Sequence, residues 1–320
     1  MKFRITHSTY YHYSQSVGLC QNEARLQPRD FWRQQCQNSH FEINPAPNDF
    51  HERSDYFGNR VVYFAVQQPH QRLNVTVISE VTVYPRQSRE DLANGLIWEQ
   101  ARDQLQSQNQ ANIGWAAQST TGQVQSQSQG QIPQQGLDDE LLEAKQYLLD
   151  SPMVCTSTDL ANYAQSSFQP NRPLVQVVLN LMQRINADFT YDPTFTTIAT
   201  PLSDVLHFRR GVCQDFAHLA IGCLRSFGIA ARYVSGYVET LPAPGKPRLV
   251  GVDASHAWFS VFVPGLGWLD FDPTNNTVPY DQHITLAWGR DYTDVTPLKG
   301  IAFGGGQHSL SVSVDVLRLS

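Results

Sequence analysis

Residues 210–228 constrain the fold more than any other stretch. Arg210, Gly211 and Val212 lead into Cys213, and an amphipathic helical run follows at once. The run continues to Phe227 and stops at Gly228, a common helix C-terminal residue. The pattern places Cys213 at a helix N-terminus. Unpaired backbone N–H groups and the helix dipole favour an anion there, so the position suits a thiolate. A cysteine that only fills a core gains nothing from that place. Cys223, mid-helix among Ile221, Leu224 and Phe227, reads as such a core residue.

A nucleophilic thiol needs a base, and the base needs an orienting group. Residues 255–263 are rich in aromatic and branched side chains and read as a β-strand. Residues 264–267 form a turn, and residues 268–272 return as a second strand that ends at Pro273. A short loop around Gly265 sets Trp258 opposite Asp272. His256 is then the diagonal neighbour of Asp272 on the same face, roughly 7–8 Å away between backbones. Asp270 shares that face but lies roughly 7 Å nearer the turn. Asp272 is therefore the expected partner of His256, with Asp270 in reserve. The plainer alternatives are a satisfied core histidine at 256 and a turn cap at 272. The order of cysteine, histidine and aspartate favours a site.

GVCQDFAHLA at 211–220 and SHAWFSVFVPGLGWLDFDPTN at 255–275 resemble the cysteine, histidine and aspartate boxes of the transglutaminase-like superfamily. ITHSTYYHYSQSV at 5–17, RYVSGY at 232–237 and DQHITLAWGRDYTDVTPLKG at 281–300 resemble its bacterial branch. The likeness covers residues 1–86 and 140–320. It implies a papain-like α+β core, a helix cluster on an antiparallel sheet, with Cys213, His256 and Asp272 as the catalytic triad. It also implies acyl transfer through a thioester. An aromatic or polar side chain upstream of the cysteine often assists the oxyanion in this superfamily. Tyr191 is the matching candidate here, although a tyrosine packed beside Pro193 is an equally simple reading. Animal members use calcium. No acidic loop of the needed density is present, so neither a metal nor another cofactor is expected.

The chain divides into four parts. Residues 1–90 alternate and are rich in Val, Tyr, Phe and Thr, with the clearest strands at 60–66 and 73–84. They predict an all-β N-terminal module, a sandwich. Residues 91–137 read as a linker or insertion. Residues 100–135 hold thirteen glutamines and only two charges, Arg102 and Asp103, too little apolar surface to offset ordering. Trp115 is its one candidate anchor. Residues 138–300 form the catalytic domain, with helical spacing from Asp138 and again over 174–189, then a strand over 229–238. Residues 301–320 end in an alternating strand that can return to the β module.

Net charge is −6, which suggests no phosphate-backbone partner. No apolar run approaches a membrane span, and the first residues lack the apolar centre of a secretory signal. Five cysteines without close pairing do not read as a disulfide framework. A cytoplasmic protein acting on a protein or peptide is the expectation, with oligomeric state open. Hydrolysis is favoured over amine transfer because water is always present and its exclusion needs extra architecture. A protein-glutamine gamma-glutamyltransferase and a non-catalytic peptide-binding module are the alternatives. Asp215 and Arg232 are charges in apolar segments that either pair with each other or reach solvent. His218 is expected to be structural.

Overall fold

The computed structural model describes residues 1–85, 95–107, 134–239 and 255–319. The chain opens with five strands: β1 (Lys2–Ala24), β2 (Gln34–Asn44), β3 (Asp49–Ser54), β4 (Arg60–Val66) and β5 (His70–Val83). Period-2 alternation drives them. In β5, Leu73, Val75, Val77, Val81 and Val83 are all buried, with half-buried neighbours between most of them. The chain closes with β12 (Leu298–Gly304) and β13 (His308–Leu319).

All seven strands form one antiparallel sheet organised by β1. The first half of β1 runs between β5 and β13, and its second half between β4 and β12. The register with β5 shifts between His12 and Val17, where β1 changes partners. The expected sandwich is thus a continuous sheet with two four-stranded halves sharing β1. Side chains from both halves, including Val17, Cys20, Val62, Phe64, Leu73 and Val75, meet in one cluster. The C-terminal strand does return to the β module, pairing from Lys2↔Leu319 to Tyr13↔His308.

The middle of the chain supplies the second layer. Its helices are α1 (Trp98–Ser107), α2 (Gln134–Lys145), α3 (Thr158–Ala164), α4 (Leu174–Asp188), α5 (Leu202–Phe208), α6 (Cys213–Arg225) and α7 (Tyr292–Val295). Its strands are β6 (Thr190–Tyr191), β7 (Arg210–Gly211), β8 (Ala231–Val238), β9 (Ser255–Val263), β10 (Gly267–Phe271) and β11 (His283–Gly289). Strands β10-β9-β8-β11 make an antiparallel sheet, and α6 lies against β9 and β8. Every residue of α6 from Asp215 to Arg225 is buried, which makes it the central helix.

The linker reading fails over part of its length. Residues 98–107 form α1, and Trp98, Ala101 and Leu105 are buried against the core. Three apolar residues at helical spacing suffice, because α4 and α2 receive them. Residues 108–133, with Trp115, lie outside the described residues.

The β module and the helical core share one hydrophobic body. Phe3, Ile5, Val81, Val83, Val314 and Val316 belong to the same cluster as Leu181, Phe216, Leu219 and Phe259. Polar ties reinforce the seam. Gln34 donates through Nε2 to the Thr285 carbonyl at 2.7 Å, and its Oε1 accepts from the Thr285 N–H at 2.8 Å. Arg29 and Arg232 both lie over the Trp288 ring, at 3.3 and 3.7 Å from its centroid.

Candidate active site

Cys213 is the first residue of α6, with Val212 as N-cap in extended conformation. The local sequence explains the sharp start. The Asp215 carboxylate folds back to accept from the Val212 N–H at 2.8 Å and the Thr196 hydroxyl at 2.8 Å. A Cβ on Gly211 would stand 2.8 Å from that carboxylate, so only glycine leaves room for it. Asp215 and Arg232 therefore do not pair: Asp215 caps α6, and Arg232 is stacked between Trp268 and Trp288.

His256 stands near the start of β9, paired with Gly236 of β8. The β9–β10 hairpin sets Asp270 opposite Ser260, which puts Asp272 level with Trp258, as the turn length predicts. His256 Nε2 lies 2.8 Å from Asp272 Oδ2. The carboxylate can only accept, so Nε2 carries the proton and Nδ1 is left for the thiol. Asp272 is fully buried, and His256 is 12% exposed. Asp270 takes another role, 3.7 Å from Arg33 across the seam with the β module.

The electrostatics follow from this geometry. Burial opposes charge on the His256 ring, but its hydrogen bonds to Asp272 and to Cys213 prevail and raise it to about 10. Burial likewise opposes charge on Asp272, but bonds from His256 and His283 hold it well below the usual carboxylate range. The geometry favours a protonated His256 ring beside an ionised Asp272 carboxylate.

His283 is the residue the sequence did not assign. Its Nε2 lies 3.0 Å from the same Asp272 Oδ2, and its ring meets Trp258 edge-on at 5.0 Å. Asn275 Nδ2 donates to that oxygen at 2.8 Å, while the N–H groups of Thr274 and Asn275 donate to Oδ1. The carboxylate is therefore pinned from every side. Only the alternation of residues 283–289, read as a strand beside β8, would have pointed to His283. Trp258 fits because position 236 is glycine, where a Cβ would stand 2.5 Å from the indole and 2.1 Å from the Ile284 carbonyl oxygen.

Donor atoms of His256, Asp272 and His283 all lie within 4.8 Å of one another, near enough to share a metal. Both rings already bond one Asp272 oxygen, so a cation would have to displace those protons. Tyr191 lies close by. It pairs with Gly211 in the β6–β7 bridge and, with Cys213 and His256, lines a cavity of about 740 Å³. Burial and the nearby Cys213 raise its hydroxyl above the ordinary tyrosine value, so it stays a donor. A larger cavity, about 980 Å³, does not touch Cys213. His218 is buried and accepts from the Tyr292 N–H at 3.1 Å; burial lowers it to about 4.

A thiol at a helix start, facing a histidine and a buried carboxylate on the adjoining antiparallel sheet, defines a Cys–His–Asp thiol fold. Residues 3–82 match the bacterial transglutaminase-like N-terminal region, and residues 161–273 match the transglutaminase-like superfamily. An uncharacterized protein of Mycobacterium tuberculosis is 39% identical over 323 residues, which cover 99% of this chain and 92% of its own. The chain belongs to the transglutaminase-like superfamily. A protein-glutamine gamma-glutamyltransferase of Pseudomonas aeruginosa is 35% identical over 140 residues, 40% of this chain and 20% of its own. A solved structure from Cytophaga hutchinsonii, provisionally called a cysteine protease, shares the fold. Its TM-score is 0.70 at 21% identity, covering 100% of this chain and 91% of that one.

Proposed function

We propose that the protein is a thiol-dependent amide hydrolase acting on proteins or peptides through Cys213, His256 and Asp272. The observation that carries this is the His256 ring, 2.8 Å from the buried Asp272 carboxylate, raised by that carboxylate and by the helix-start thiol of Cys213, with which it lines one cavity. His256 holds the thiol's proton as an imidazolium, and Asp272 fixes the ring and its tautomer. The thiolate attacks the amide carbonyl carbon, and the carbonyl π pair moves to oxygen. The Cys213 N–H at the start of α6 faces that oxyanion, and the Tyr191 hydroxyl is the second donor. Collapse expels the amine, which leaves with the His256 proton, and forms a thioester. Neutral His256 then takes a proton from water, whose attack releases the acid and restores the thiol.

Amine transfer is the second reading. The name of the Pseudomonas aeruginosa relative favours it: an amine in place of water would resolve the same thioester. All five cysteines are unpaired, which fits a reducing compartment that keeps Cys213 available. Mass spectrometry of peptide mixtures incubated with wild type and with Cys213→Ala tests both readings. New termini or deamidation seen only with wild type support hydrolysis, and new isopeptide links support transfer. Identical product lists from the two proteins would remove the enzymatic reading.

A further inference from the structure

Cys213 and His256 line two cavities. Besides the one beside Tyr191, a second of about 270 Å³ lies between the thiol and the β module. Thr9 and Tyr11 of β1 and Leu310 and Val312 of β13 form its outer wall. The register pairs Thr9 with Val312 and Tyr11 with Leu310, so the four share one face of the sheet. This chamber is walled by two strands that are separated in sequence by the whole catalytic core.

Its chemistry is apolar and neutral. Among the described residues no Asp, Glu, Lys or Arg lines it. His7, at its inner end, is buried and bonded to the Tyr237 and Thr9 hydroxyls, and burial lowers it to about 4. The wall therefore presents no carboxylate, ammonium or guanidinium to an occupant. Leu310 and Val312 remain 53% and 50% exposed although they face the chamber. Open apolar surface beside a nucleophile marks a place for a ligand group.

We propose that this chamber is a substrate subsite that receives one uncharged apolar side chain next to the amide under attack. The β module would then select the substrate as well as support the core. The proposal rests on the catalytic reading of Cys213. Size limits the occupant: a cavity of about 150 Å³ holds benzene, so this one holds a single leucine- or phenylalanine-sized group. A lysine ammonium would lose hydration there and meet no carboxylate.

The test measures alkylation of Cys213 in the intact chain by mass spectrometry. The probes are chloroacetamide, N-phenethyl-chloroacetamide and N-(5-aminopentyl)-chloroacetamide. The phenethyl-to-unsubstituted rate ratio at Cys213 is expected to exceed that at the exposed Cys155 by about tenfold, the scale of burying an aromatic ring. The ammonium probe should gain nothing. Val312→Asp should collapse the phenethyl ratio and turn preference toward the ammonium probe, and Leu310→Asp should also collapse it. Leu317→Asp, on the opposite face of β13, should keep the ratio. Equal ratios at Cys213 and Cys155, a ratio unmoved by both chamber variants, or a preference of wild type for the ammonium probe would each overturn the proposal. Chloroacetamide alone reports on the thiol: if it reacts no faster at Cys213 than at Cys155, the catalytic reading fails, and the ratio still judges the chamber.

Discussion

Asp272 gathers the chemistry of the site into one carboxylate. Its Oδ2 takes bonds from His256, His283 and Asn275, and its Oδ1 takes two backbone N–H groups. Asp272→Asn keeps the shape but loses the charge and offers a donor where two rings need an acceptor. Turnover should fall on the order of 10²–10⁴, the upper end being the scale for a triad aspartate changed to asparagine. Asp270→Asn should leave turnover nearly intact, since Asp270 faces Arg33. A crippled Asp270→Asn beside a near-normal Asp272→Asn would reassign the triad. The charge state of His256 also shapes stability. Its ring is raised from 6.5 to about 10, so the stabilisation it gives is complete below 6.5 and is lost as pH rises through about 10. Asp272 is depressed, so its contribution is present above 3.8 and is lost as pH falls below that. The melting temperature of wild type should therefore exceed that of His256→Gln most between about pH 4 and 6.5. The gap should narrow toward pH 10; a gap constant across that range would refute the ionic pairing.

The elements differ in how far the sequence foretells them, and the difference is one of range. The start of α6 and the β9–β10 register are local: a helix run begins at Cys213, and one turn around Gly265 sets every pair in the hairpin. Both are legible from a dozen residues. β11 is not, because its partner is β8, nearly fifty residues earlier, and His283 reaches Asp272 only through that pairing. The same holds for β12, which meets β1 from the far end of the chain. α1 escaped notice for another reason. Its glutamines dominate the composition, while its burial depends on three residues, of which Trp98 precedes the glutamine-rich stretch. Leu105 is 1% exposed. Leu105→Ala should cost about 2–5 kcal/mol in urea unfolding, the usual range for an emptied leucine site. A change below about 0.5 kcal/mol, the scale of a surface substitution, would return α1 to the linker.

Across the whole molecule the β module and the helical core behave as one body. The change of sequence pattern near residue 90 separates them on paper, but the hydrophobic cluster crosses the seam, and patterns of alternation do not reveal which faces meet. Tyr237 bonds His7 at 2.9 Å, and Arg318 of β13 pairs with Glu239 at the edge of the site. Calorimetry should therefore show a single unfolding transition for the β module and the core; two separable transitions would contradict the shared core. That body converges on one thiol, and the most direct measurement is the rate of iodoacetamide labelling of Cys213 in the intact chain at mildly acidic pH. The account predicts that Cys213 labels far faster than the exposed Cys155, and that His256→Ala abolishes the advantage. Equal labelling of the two cysteines in wild type, or an advantage that survives His256→Ala, would contradict the thiolate–imidazolium pair at the centre of the proposed chemistry.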